Sequence, residues 1–322
     1  MWLVLEYLIV ATLVVFCAIK ASKYIDMLDK TTKLSGAFLG GVLLSSITSL
    51  PELITSISAT MLIDEPQLCL SNMLGSNIFN TAILALVLTL AIKRFKKTKV
   101  SRGNIFVTIT VLSIYAVLIA DMFNFINYNL FEKHGIINVV SLAIVAFYLF
   151  GVRYLAQDNE CECGQCEDDE EITLTTRQIA VRFTLTSIVL VGLSVLMTYI
   201  TDDIATEFGL GSGLAGAIFL GVATSLPEVS STIALVRMRN FNIAIGNIVG
   251  SNLFNFVILF VADLLYIKGD IYDYSDLRVV SILEFGMFAT LALLALLCYR
   301  KKWIKIVAAI AVMACYIASL LR

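Results

Sequence analysis

Two short segments carry most of the polar chemistry of an otherwise apolar chain. The first reads Thr48-Ser49-Leu50-Pro51-Glu52 and is followed by Gly75-Ser76-Asn77-Ile78-Phe79-Asn80. The second reads Thr224-Ser225-Leu226-Pro227-Glu228 and is followed by Gly250-Ser251-Asn252-Leu253-Phe254-Asn255. Glu52 and Glu228 are 176 positions apart, and Asn80 and Asn255 are 175 apart. Each copy places a proline and a carboxylate where both are costly. Pro51 has no N–H, so the carbonyl of Ile47 loses its helical partner, and Pro227 does the same to Ala223. A freed carbonyl cannot face lipid, so each break must line a cavity or bind something.

On a helix, Thr48, Glu52 and Ser56 share one face, and Thr224, Glu228 and Thr232 repeat the pattern. Ser76 with Asn80, and Ser251 with Asn255, have the same four-residue spacing. Together they offer two carboxylates, two amide oxygens, several hydroxyls and freed backbone carbonyls. These are hard oxygen donors, suited to Ca2+ and Na+ and unsuited to soft transition metals. Gly75 and Gly250 would let helices approach closely enough to share an ion. A proline alone is commonly a kink, and Ser/Asn pairs often only join helices. A glutamate is different, since an ionised carboxylate at mid-bilayer costs a few kcal/mol or more without a partner. Two at matched positions therefore point to function.

The elements that position these residues follow from composition. Of 322 residues, 59% are hydrophobic and 15% charged. Soluble domains carry about 25% charged residues, so this is an integral membrane protein. Charges cluster between apolar stretches of about 20 residues, the length of a spanning helix and twice that of a spanning strand. Spans are expected over 2–19, 35–62, 67–92, 104–122, 136–155, 178–200, 210–236, 241–266, 278–298 and 303–321. The first has Glu6 and no lysine before Lys20, unlike a cleaved signal peptide. No basic surface suggests nucleic acid, and the single histidine, His134, argues against a His-rich metal site. No Ser-His-Asp set or phosphate loop is present, so the chain is not read as an enzyme.

Basic residues give the orientation. They crowd the connections around Lys20–Lys33, Lys93–Arg102, Arg153–Arg182, Arg237–Arg239 and Arg300–Lys305, leaving Lys133, Lys268, Arg278 and Arg322 opposite. The odd-numbered connections are then cytoplasmic and both termini lie outside. Five helices is an odd number, so the second five must start from the other side. The fold class is thus an all-α integral membrane protein of ten transmembrane helices in two inverted five-helix repeats, 1–155 and 178–322. The connection 156–177 holds Cys161, Cys163 and Cys166, then Asp168-Asp169-Glu170-Glu171. A closed zinc site wants four ligands, so an acidic cytoplasmic linker is the preferred reading over a metal or redox role.

The duplicated TSLPE and GSNxFN motifs resemble the α-repeats of the sodium/calcium exchanger branch of the calcium/cation antiporters, most sharply over 39–80 and 215–255. The resemblance implies that Glu52 and Glu228 bind Ca2+ and Na+. It further implies that Thr48, Ser49, Ser76 and Asn80, with Thr224, Ser225, Ser251 and Asn255, complete the cluster. Main-chain carbonyls at Ser45 and Gly221 match positions used for ion contacts. Some members have an aspartate where this chain has Asn255, and Ser45-Ser46 replace smaller residues. This site therefore holds two formal charges, enough to neutralise one Ca2+. The expected activity is Ca2+/Na+ antiport by alternating access in a prokaryotic plasma membrane, by a monomeric unit with no organic cofactor. The alternatives are a Ca2+/H+ exchanger, with protons on the glutamates, and a non-transporting sensor using the Cys161–Cys166 loop.

Overall fold

The computed structural model describes residues 2–61, 66–123, 125, 138–157, 174–207 and 223–321. Among these residues every regular element is a helix. In chain order the longer ones are α1 (Trp2–Thr31), the bent pair α2 (Gly36–Thr48) and α3 (Leu50–Met61), α4 (Pro66–Leu90), which a short helix Ile92–Phe95 follows, α5 (Arg102–Met122) and α6 (Val139–Gln157). The second half gives α7 (Thr176–Glu207), α8 (Leu226–Arg237), α9 (Phe241–Leu265), α10 (Leu277–Cys298) and α11 (Lys302–Leu321). Eight of these are long and apolar enough to cross a membrane, and the bent α2–α3 pair makes a ninth span. Of the span expected over 210–236, the structure describes only 223 onward, which ends in α8. Gly221, His134, Cys161, Cys163 and Cys166 lie outside the described residues.

Most expected spans agree with these helices to within a few residues. The exceptions are α1 and α7, which continue well past residues 19 and 200. Hydropathy marks where the apolar stretch stops, whereas a helix continues wherever its backbone bonds and side-chain pairs support it. Along α1, Lys20 lies 4.8 Å over the Phe16 ring and Lys30 pairs with Asp26 at 3.1 Å, both four residues apart. At 1.5 Å per residue, α1 is about 45 Å long and outreaches a hydrocarbon core of about 30 Å.

Caps fix several helix starts. The Ser35 hydroxyl accepts from Phe38 N, Ser101 from Gly103 N, and the Asp276 carboxylate from Arg278 N. Inside α2 the residues Leu39–Leu44 form a π-helical turn. There the chain lies against α9 at backbone distance. A Cβ on Gly250 would lie 2.6 Å from Gly41 Cα, and one on Gly246 would lie 3.0 Å from Gly41 N. The widened turn and its glycines let the two backbones touch.

Two apolar clusters hold the molecule. The larger joins α4, α5, α9, α10 and α11 with the end of α1, through side chains such as Met73, Leu84, Ile114, Phe256 and Leu283. The smaller is formed mainly by α1 and α7, where Val10, Val14 and Ala18 meet Leu190, Met197 and Ile200. Along that stretch α1 and α7 pack on each other and against Ile47, Ala223 and Leu226 beside the two Pro-Glu segments.

Candidate functional site

Both Pro-Glu segments bend at the same place. Ser49 has φ −92° and ψ 5°, and Ser225 has φ −86° and ψ 5°. The helix axis turns by 44° between α2 and α3. In each copy the serine two positions before the proline leaves α geometry, and the helix restarts with the glutamate in its first turn. The N–H groups of Leu53 and Val229 then bond to the carbonyls of Ser49 and Ser225 at 3.2 and 3.1 Å. The ring without an N–H forces this offset, and the same sequence gives the same bend twice.

The bends bring the two halves of the chain onto each other. Glu52 and Glu228 are 1% and 0% exposed. Each accepts a hydrogen bond from the serine of the opposite bend: Ser49 Oγ donates to Glu228 Oε1 at 3.1 Å, and Ser225 Oγ to Glu52 Oε1 at 3.5 Å. Helices α4 and α9 add the remaining groups. Ser76 Oγ lies 3.2 Å from Ser225 Oγ, Thr48 Oγ1 lies 3.4 Å from Ser251 Oγ, and Asn255 Nδ2 donates to Ser76 Oγ at 3.3 Å. Thr224 and Asn80 are also buried. Eleven of the twelve residues expected from sequence are thus described and buried, and hydrogen bonds link most of them to one another.

Four buried acceptors in this cluster have no hydrogen-bond partner: Glu52 Oε2, Glu228 Oε2, Asn80 Oδ1 and Asn255 Oδ1. Orphaned buried polar atoms are rare in folded proteins. Asn80 Nδ2 and Ser56 Oγ are unpartnered as well, and among the orphans are two matched pairs, one carboxylate and one amide oxygen from each half. Among the described residues no cationic side chain forms a salt bridge with either glutamate. Two ionised carboxylates in this setting would cost several kcal/mol, and a bound cation removes that cost. Among the described residues no group of three or more His, Cys, Asp or Glu side chains is placed to hold a metal. The donor set is therefore two carboxylates supplemented by neutral oxygens.

The Ser45 carbonyl is engaged within its own helix, accepting from Ser49 N at 3.0 Å and Thr48 Oγ1 at 3.2 Å. Ser56, placed by spacing on the Glu52 face, is 1% exposed with its hydroxyl unpartnered. Its counterpart Thr232 accepts from Asn247 Nδ2 at 3.2 Å.

Two residues were quoted in the motifs without being assigned a role. Asn77 Nδ2 donates to the carbonyl of Asn252 at 3.3 Å, and Asn252 Nδ2 donates to the carbonyl of Asn77 at 3.2 Å. This reciprocal pair ties α4 to α9 at the level of the site. Asn77 Oδ1 also accepts from Asn255 Nδ2 at 2.9 Å, which aims the Asn255 oxygen away from Asn77. Their identical place in the two motif copies was the available signal.

Comparison with known proteins places the chain in a family and a fold. The model of the family described as "Sodium/calcium exchanger protein" matches residues 2–156 and 179–322. The inner membrane protein YrbG of Escherichia coli (strain K12) is 29% identical over 301 residues, covering 90% of this chain and 86% of that one. The putative antiporter CaxA of Alkalimonas amylolytica is 34% identical over 80 residues, 25% of either chain. Among solved structures, the sodium-calcium exchanger NCX_Mj soaked with 10 mM Na+ and zero Ca2+ superposes with a TM-score of 0.68. It is 16% identical, with 97% of each chain covered, and shares the fold.

Proposed function

Because the chain belongs to the sodium/calcium exchanger protein family, we propose that it exchanges Ca2+ for Na+ across a membrane through the cluster built on Glu52 and Glu228. The observation that carries this reading is the set of four orphaned oxygens, Glu52 Oε2, Glu228 Oε2, Asn80 Oδ1 and Asn255 Oδ1. Ca2+ takes six to eight oxygens, and the buried hydroxyls of Thr48, Ser49, Ser76, Thr224, Ser225 and Ser251 are the proposed source of the others. Na+ competes for the same oxygens. The carbonyl of Gly221 belongs to the proposed set, and that of Ser45 joins it when its bonds within α2 open.

The architecture proposed for this function is ten spans in two inverted halves, 1–155 and 178–322, joined by a cytoplasmic linker over 156–177. The matched bends at Ser49 and Ser225 and the reciprocal Asn77–Asn252 bonds support a two-fold relation between halves. With basic connections inside, both termini face outward and the membrane is the prokaryotic plasma membrane. The separate α1–α7 cluster supports alternating access in which that pair slides past the static bundle. An empty site, with two unpaired buried carboxylates, does not make that passage, so exchange is obligatory.

Charge balance sets the stoichiometry. Two carboxylates neutralise one Ca2+ or two Na+, and a third Na+ would leave a net charge to be carried through low dielectric. Exchange is therefore expected at two Na+ per Ca2+, with uptake unchanged when a potential of 100 mV is imposed by K+ and valinomycin. One moved charge would contribute about 2.3 kcal/mol and alter the rate measurably. The overall reading is tested by Ca2+ uptake into proteoliposomes under an imposed Na+ gradient with the pH gradient collapsed. Uptake that follows Na+ supports it, and uptake that follows only a proton gradient assigns the counter-ion to H+.

A further inference from the structure

Away from the ion site, the connection between α4 and α5, the start of α5, the end of α10 and the start of α11 line a cavity of about 260 Å3. Lys96, Lys97, Thr98 and Lys99 line one wall, and Arg300 and Lys305 the other, with no carboxylate among the lining residues. Four of the five cations are exposed side chains at the cavity mouth. Lys305 is different, being 4% exposed.

Among the described residues no carboxylate pairs with Lys305. Its Nζ donates to the carbonyl of Leu296 at 2.8 Å and sits 4.0 Å from the centroid of the Phe95 ring. The first contact caps one of the last carbonyls of α10, and the second is a cation–π contact. Neither is an anion, and a buried ammonium without one is unfavourable. Four further positive groups gather at the same cavity, where repulsion among them adds to the cost. An anion in the cavity would relieve both.

The depth of the cavity identifies the source of that anion. It lies where α10 ends and α11 begins, and Tyr299 and Trp303 at this turn are 55% and 63% exposed. Exposed tyrosine and tryptophan at helix ends mark the headgroup level of a membrane. A dissolved anion meets the same charges only at its solution concentration, whereas headgroup phosphates are always present at this depth. Basic pockets between spanning helices suit anionic headgroups.

We propose that this cavity is a binding site for the phosphate of an anionic phospholipid in the leaflet on the side of the basic connections. The bound headgroup bridges the α4–α5 connection to the α10–α11 turn and so braces α10 and α11 against α5. The site is independent of which ions the protein exchanges.

The test uses the full-length protein in zwitterionic mixed micelles of detergent and phosphatidylcholine. Replacing a tenth of the phosphatidylcholine by phosphatidylglycerol is expected to raise Tm by about 5 °C, the size expected for a ligand well above its Kd. The increment is expected to vanish in the triple variant Lys96→Gln/Lys97→Gln/Arg300→Gln. It is expected to persist in Arg177→Gln/Arg182→Gln, which removes two cations from another basic patch. Each increment is measured against the same variant without phosphatidylglycerol, so a lowered starting Tm does not obscure it. A full increment in the triple variant overturns the proposal. So does an equal rise with inorganic phosphate in pure phosphatidylcholine micelles, which would assign the cavity to a free anion.

Discussion

Glu228→Gln is expected to abolish Na+-driven Ca2+ uptake while leaving the bundle assembled. The amide has the volume of the carboxylate, and its oxygen still accepts the Ser49 hydroxyl, now 3.1 Å from Glu228 Oε1. What is lost is one of two buried charges facing a divalent ion. Removing one member of a buried charge pair costs roughly 3–5 kcal/mol, so Ca2+ affinity should fall more than about 100-fold. Glu52→Gln should behave alike, because Ser225 serves Glu52 as Ser49 serves Glu228. Flux assays in proteoliposomes and a thermal melt without Ca2+ read the two sides of this prediction. Loss of uptake with an unchanged or raised melting temperature is expected, since the variant buries one fewer unpaired charge. Uptake at the unmutated rate would remove Glu228 from the site.

The second large effect concerns assembly. Gly250→Ala is expected to destabilise the protein by about 3 kcal/mol or more, at the upper end for overpacking. The added methyl would meet the oxygen, Cα and carbonyl carbon of Gly41, all backbone atoms that cannot turn aside as a side chain can. Helices α2 and α9 would have to separate, and with them Thr48 and Ser251, whose hydroxyls are 3.4 Å apart. Both stability and Ca2+ binding should therefore drop together. Gly192→Ala on α7 is the matching control, since no described atom lies within 4 Å of the added carbon. Its thermal midpoint should be unchanged or slightly raised, since alanine is the better helix former. A Gly250→Ala protein as stable as that control would contradict the close approach.

Much of the site was legible because the chain writes it twice. Proline and glutamate in an apolar run are conspicuous singly, and their recurrence at an offset of 176 identified both halves of the cluster. The spans were legible for a simpler reason, that lipid demands about 20 apolar residues. Legibility failed where the decisive contact joins segments far apart in sequence. Nothing in the spacing around Asn77 says that its amide reaches the carbonyl of Asn252. The π-helical turn at Leu39–Leu44 is equally silent, because Gly40 and Gly41 acquire meaning only against α9. The ends of α1 and α7 are not legible because hydropathy reports the apolar stretch, and those helices continue beyond it. Lys305 was counted among the basic residues of a connection, whereas the fold buries it under Phe95.

The most direct test of the account is the position of Ca2+ itself. Crystals of the full-length protein grown with millimolar CaCl2 and no Na+ should give one strong anomalous peak from Ca2+ between α3, α8, α4 and α9. The peak should lie 2.3–2.6 Å from side-chain oxygens of Glu52, Glu228, Asn80 and Asn255, and it should weaken as NaCl is raised. A peak placed elsewhere, with these four oxygens unliganded at saturating Ca2+, would contradict the assignment of the site.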